Sequence, residues 1–163
     1  MDLKSMYRDV ILDHYKKPRN AGELPGANRE AKCKNPSCGD RITLALDLRA
    51  EQLAGVSFVG TGCAISQASA SMMTQAIKGK STVEVQAIKD EFRKMILAGQ
   101  HVPDKEILGD LITLQGIAKL PARVKCALCG WSALEAALEQ HGSEVDLDLD
   151  KTLPNSELGA NGA

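Results

Sequence analysis

The chain has 163 residues, 44% of them hydrophobic and 25% charged, a composition that excludes an intrinsically disordered chain and a collagen-like one. Twenty basic residues against 21 acidic ones leave a net charge of −1, so no nucleic acid is expected as a partner, since affinity for it rests on phosphate neutralisation. Aromatic residues make up only 3%, so the core must be aliphatic.

The apolar positions Leu3, Met6, Tyr7, Val10, Ile11 and His14 keep helical spacing and predict a first helix, ended by Pro18. Residues 18–28, with Pro18, Gly22, Pro25 and Gly26, read as an irregular connection. Residues 29–34 suit a short strand before the turn Asn35-Pro36-Ser37-Cys38-Gly39-Asp40. In 41–49, Ile42, Leu44, Leu46 and Leu48 alternate with Thr43, Ala45 and Asp47, the pattern of a half-buried strand, and 53–59 should pair with it as a hairpin. After Gly60-Thr61-Gly62-Cys63 a helical spacing takes over through Ile65, Ala68, Met72, Ala76 and Ile77, which puts Cys63 at a strand-to-helix junction.

Ser81-Thr82-Val83-Glu84 is a capping box opening a helix with Val85, Ile88, Phe92, Met95 and Ile96 on its apolar side, ending near Gly99. Residues 104–119 are weakly helical and interrupted by Gly109 and Gly116. Pro121 precedes a last helix with Val124, Leu128, Trp131, Leu134 and Leu138 on one side, closed by Gly142. Residues 1–142 therefore predict one α+β domain, helices packed against a small antiparallel sheet. Residues 143–163 are acidic, then rich in Asn, Gly and Ala, and read as a disordered tail.

No stretch approaches the ~18 consecutive apolar residues of a membrane span, so no membrane is expected as a partner, and the first residues do not form a secretory signal. A soluble, cytoplasmic protein is the expectation. Its five cysteines, Cys33, Cys38, Cys63, Cys126 and Cys129, are an odd number in a chain too large to need disulfide staples. Such thiols serve as metal ligands, reactive groups or small core residues.

Cys38-Gly39-Asp40 sets a thiol and a carboxylate two residues apart, with a glycine whose backbone freedom lets both turn toward one point. Cys63 falls at a predicted helix start, where unpaired N–H groups favour a thiolate, and Cys126 falls near the start of the last helix. Three thiols and a carboxylate suit a tetrahedral ion such as Zn²⁺. Taken singly, each of these cysteines fits a buried core position equally well. Cys126-Ala127-Leu128-Cys129 also spells a CxxC, but Cys129 and Cys33 fit small core residues better than ligands. Arg123 and Lys125 precede Cys126; they either stabilise a thiolate or are two solvated charges opening a helix, and the sequence leaves both open. Met72, Met73 and His14 fit packed positions.

The three motifs Asn35-Pro36-Ser37-Cys38-Gly39-Asp40, Gly60-Thr61-Gly62-Cys63-Ala64-Ile65-Ser66 and Arg123-Val124-Lys125-Cys126-Ala127 resemble, in order, those of the U-type iron–sulfur assembly proteins. The resemblance runs from about residue 3 to 141. It favours the SufU branch over the IscU branch, because Lys125 stands where IscU-type proteins have a His and because residues 100–120 look like the SufU insertion. The resemblance implies a SufU/IscU-like fold, zinc bound by Cys38, Asp40, Cys63 and Cys126, and persulfide sulfur taken from a SufS-type cysteine desulfurase on Cys38. The activity would be at most that of a sulfurtransferase, with downstream iron–sulfur assembly proteins receiving the sulfur. An iron–sulfur scaffold, holding iron or a [2Fe–2S] cluster on the same four residues, is the alternative it allows. A structural zinc module is the third.

Overall fold

The computed structural model describes residues 3–98, 100–139 and 144–152. Helix α1 (Leu3–Lys16) is followed by strands β1 (Arg29–Asn35), β2 (Asp40–Arg49) and β3 (Gln52–Thr61), then α2 (Ala64–Ile77) and α3 (Thr82–Leu97). A one-turn α4 (Lys105–Leu108) runs into a 3₁₀ segment (Gly109–Lys119), the long α5 (Pro121–Glu139), a short β4 (Glu144–Asp148) and α6 (Leu149–Thr152).

The alternation read in β2 is what the sheet uses. Ile42, Leu44 and Leu46 are buried, while Thr43 and Ala45 are only partly covered. β1 pairs antiparallel with β2, and β2 with β3, so the α+β expectation with a small antiparallel sheet holds for these three strands. Ala50 and Glu51 both take positive φ in the two-residue turn between β2 and β3, the geometry that matches strand twist.

Helix α5 packs on β1 and β2, and α2 lies beside α5 with α1 on its far side. Phe92 of α3 stacks on Trp131 of α5 at 4.3 Å between centroids, joining the outer helix to the inner layer. Trp131 Nε1 donates to Ser69 Oγ (3.1 Å), and that hydroxyl donates to Ala127 O (2.7 Å), a polar rivet between α2 and α5 inside an otherwise aliphatic core.

The structure departs from the sequence reading at the C-terminus. The expected tail was to lack structure from 143, yet residues 144–148 form β4, which adds to the edge of β1 in parallel, giving the order β3-β2-β1-β4. A five-residue acidic strand has no local signal strong enough to announce itself; the pairing partner, more than a hundred residues earlier, supplies the order. Leu149 then buries its side chain in the core. Residue 143 and residues 153–163, the rest of the expected tail, lie outside the described residues.

The sheet gathers several element ends at one place. The end of β1, the start of β2, the end of β3 with the start of α2, and the first turns of α5 all meet there. Because β4 runs parallel to β1, with Lys34 opposite Asp148, α6 arrives at the same end.

Candidate metal centre

Gly39 turns the loop between β1 and β2 at φ +72°, a conformation L side chains rarely adopt, so Cys38 and Asp40 face the same space. Asp40 is fully paired. Its Oδ1 accepts from the Cys63 backbone N–H (2.9 Å) and Ser66 Oγ (3.0 Å), and its Oδ2 from Asn35 Nδ2 (3.0 Å). Gly62 passes against this carboxylate so closely that a Cβ would lie 2.3 Å from Asp40 Oδ1. The Gly-Thr-Gly-Cys run is therefore a cradle for Asp40.

Cys63 is the N-cap of α2, its sulfur accepting from the Ser66 N–H at 3.4 Å in the place a Ser or Asp side chain takes at most helix starts. Cys126 sits in the second turn of α5, fully buried, and its sulfur accepts from Asn35 Nδ2 at 3.6 Å. The ligand atoms of Cys38, Asp40 and Cys126 all lie within 4.8 Å of one another. Cys63 stands outside that group of three but hydrogen-bonds Cys126 through its side chain.

This sharing splits the two thiols. The hydrogen bond from Cys126 pulls the Cys63 thiol down to about 6, against the effect of burial and with help from the Ser66 N–H. Cys126 moves the other way, because it keeps the proton of that bond and is desolvated beside Asp40. Arg123, whose guanidinium is raised by Cys126 first and by Cys38 and Cys63 after it, reaches Cys38 Sγ from Nη1 at 3.8 Å.

The donor set fits a thiophilic divalent ion. Zn–S bonds of about 2.3 Å put tetrahedral ligand atoms about 3.8 Å apart, a small contraction from the spacing here. The site sets three thiols and a carboxylate beside the Arg123 guanidinium, and a divalent charge would settle the competition of Cys63 and Cys126 for one proton.

Lys125 does not join Arg123. Its ammonium, 3% exposed, turns to Asp150 Oδ1 (2.8 Å) on α6. Of the two open readings of this pair, Arg123 takes the place beside a thiol and Lys125 is a buried ion pair. Cys129 is in the core, its sulfur donating to the Cys33 carbonyl at 3.4 Å, and Cys33 is buried opposite it on β1. His14 is likewise buried, with Nδ1 2.8 Å from Ser71 Oγ.

Three residues at the centre went without a role in the sequence reading. Asn35 was visible three positions ahead of Cys38, and Ser66 three positions after Cys63, a spacing that signals a capped first turn. Asp150, more than a hundred residues from Cys38, carried no such signal.

An α+β scaffold that brings three cysteines and an aspartate from three separate motifs to one end of its sheet is of the SufU/IscU-like class of fold. The chain belongs to the family described as NifU-like N terminal domain, which matches residues 6–127. It is 46% identical over 144 residues to the zinc-dependent sulfurtransferase SufU of Bacillus subtilis (strain 168), covering 87% of this chain and 97% of that protein. It is 40% identical over 145 residues to the iron–sulfur cluster assembly scaffold protein IscU of Streptococcus pyogenes serotype M1, covering 89% of this chain and 90% of that one. The crystal structure of FiSufU, from the thermophile Fervidobacterium islandicum AW-1, superposes with a TM-score of 0.75 at 35% identity, covering 80% of this chain and 94% of that chain. Among the described residues no helix is long and apolar enough to cross a membrane.

Proposed function

We propose that this chain is a zinc-dependent sulfur-transfer protein of SUF-type iron–sulfur assembly, and that Cys38 accepts sulfur from the persulfide of a SufS-type cysteine desulfurase in the cytoplasm. The observation that carries this reading is the asymmetry of the site: Cys126 and Asp40 are buried, Cys63 is partly exposed but fixed as the N-cap of α2, and Cys38 is partly exposed on a loop with Arg123 against its sulfur. A thiol that must meet a partner's persulfide has to be the reachable one. The similarity to a zinc-dependent sulfurtransferase over nearly the whole of both chains supports the same choice.

In this reading Cys38, Asp40, Cys63 and Cys126 hold the zinc. Bound there, zinc keeps thiols deprotonated at neutral pH without offering redox chemistry of its own. The chain's own residues do the rest. Asn35 and Ser66 fix the Asp40 carboxylate, and Arg123 places a positive charge against Cys38 Sγ. The Cys38 thiolate attacks the outer sulfur of the desulfurase persulfide. A new S–S bond forms on Cys38, the partner's S–S bond breaks, and the partner's cysteine leaves as a thiolate. The outer sulfur arrives with the proton it carried and can lose it to solvent, and Arg123 remains beside the Cys38 persulfide until a downstream iron–sulfur assembly protein takes that sulfur.

Elemental analysis of untagged protein, combined with reaction with desulfurase and cysteine, tests the reading. About one zinc per chain, and a gain of about 32 Da on the Cys38 peptide, is the expected result. Stoichiometric iron with labile sulfide would instead establish the scaffold function, which the similarity to IscU proteins brings forward. Zinc without any sulfur uptake would reduce the site to a structural module.

A further inference from the structure

A buried ammonium needs a counter-charge, and Lys125, 3% exposed, stands next in sequence to Cys126 of the thiol cluster. Its Nζ lies 2.8 Å from Asp150 Oδ1, and the same oxygen accepts from Ser37 Oγ, also at 2.8 Å. Ser37 immediately precedes Cys38. One carboxylate oxygen thus joins the residue before Cys38, on the loop, to the residue before Cys126, on α5.

Asp150 is itself held. β4 is paired to β1 along its length, Leu149 is 1% exposed in the core, and the Asp150 N–H donates to Asp148 Oδ1 at 2.9 Å. The carboxylate therefore comes from a fixed backbone. It also comes from a part of the chain beyond the residues that match the family, which end at 127.

We propose that Asp150 is a positioning residue for Cys38: by tethering Ser37 to Lys125 it restrains the loop on which Cys38 must move to meet an incoming persulfide, so that residues 144–152 act as a strap setting how readily the Cys38 sulfur is presented. This rests on the reading of Cys38 as the sulfur acceptor. Cys38 has to project from the cluster toward a partner, and its loop is short, held at one end by β1 and at the other by β2. The Ser37 to Asp150 bond ties the residue next to Cys38 to an element outside the loop, through an exposed side chain that an approaching partner could engage in its place. While that bond is made, Cys38 stays with Asp40 and Cys126. When it is broken, the loop is freed without disturbing Asp40, whose three donors are all elsewhere.

The test is the rate at which iodoacetamide labels Cys38 in the full chain, followed by peptide mass spectrometry, with Cys63 in the same digest as the internal reference, before and after zinc is chelated. Ser37→Ala and Asp150→Ala should each raise Cys38 labelling about fivefold, the factor one ordinary hydrogen bond is worth, and leave Cys63 unchanged. The double variant should be no faster than Asp150→Ala alone, because that single variant has already removed the Ser37 bond. Ser37→Ala changes an exposed side chain, so it decides the matter even if Asp150→Ala folds poorly. Unchanged labelling in Ser37→Ala, single effects that multiply, or Cys38 and Cys63 rates that rise together would each overturn the proposal. Sulfur transfer is read separately: wild-type Cys38 that never gains sulfur from desulfurase sinks the acceptor reading, while the labelling rates still report what Asp150 does.

Discussion

Asp40 receives three hydrogen bonds, one from the end of β1 and two from the start of α2. Asn35 donates from the end of β1 to both Asp40 and Cys126, Ser66 closes the first turn of α2, and the Cys63 N–H is a free donor of a helix start. Asn35 Oδ1 is buried with no protein partner among the described residues, a cost of about 1–3 kcal/mol that a purely structural Asn would not carry. Its amide is spent on the two ligands. Asn35→Ala should therefore leave the site formed but weaken zinc about 10-fold to 100-fold, as loss of a ligand's outer partner does, measured by competition with a chromophoric chelator. Cys63→Ala and Cys126→Ala should abolish stoichiometric zinc, and Cys33→Ser and Cys129→Ser should retain it, because both of those sulfurs lie in the core. Zinc lost in Cys129→Ser and kept in Cys126→Ser would reverse the assignment within the CxxC. Gly62→Ala tests the cradle. Its φ of +137° and the 2.3 Å approach to Asp40 Oδ1 leave no place for a methyl group, so the variant should lose on the order of 2–3 kcal/mol in denaturant melts and bind zinc poorly.

The legibility of the elements in the sequence followed how local their causes are. The capping box at Ser81 was readable because all its parts lie within four residues: Glu84 N donates to Ser81 Oγ at 3.2 Å and Glu84 Oε1 accepts from the Ser81 N–H at 3.2 Å. β2 was readable because one buried face imposes a period of two. The 3₁₀ segment at Gly109–Lys119 shows the limit: its apolar residues Leu111, Leu114 and Ile117 recur every third position, close enough to α-helical spacing to read as a weak helix. β4 and the Lys125 to Asp150 pair were not readable, since each depends on a partner distant in sequence. The capping box also gives a pH prediction. The Ser81 backbone N–H and then its hydroxyl hold the Glu84 carboxyl below its ordinary value of 4.5. A carboxyl depressed by folding stabilises the fold above its unfolded value, and that contribution is lost as pH falls through the folded value. Glu84→Gln should therefore melt below the wild type at pH 7, and the gap should close toward pH 3. A gap that stays constant across that range would place the effect in packing.

At the scale of the molecule, the core and the metal centre are separable. The core is built from Ile42, Leu44, Leu46, Met73, Ile77, Phe92, Leu111, Leu114, Leu128 and Leu134, none of which is a candidate ligand, and it spans all the helical layers. The centre lies at one end of the sheet, where the ends of β1, β2, β3, α2 and α5 converge and side-chain hydrogen bonds join Asn35, Asp40, Cys63, Ser66 and Cys126. A chain of this kind should fold without its metal, in contrast to small zinc domains that have little else to bury. Metal bound a thousandfold above its dissociation constant adds about 4 kcal/mol, and each kcal/mol moves the melting temperature of a chain this size by roughly 2–4 °C. Chelation should therefore lower the melting temperature by about 10 °C while the far-ultraviolet circular dichroism at 25 °C stays that of the folded protein. The loosened part should be confined to the centre, with faster amide exchange at residues 36–40 and 61–66 and unchanged protection in α3 and the second half of α5. Global unfolding on chelation would mean instead that the ligands close the fold, and that the aliphatic core is too weak to stand without them.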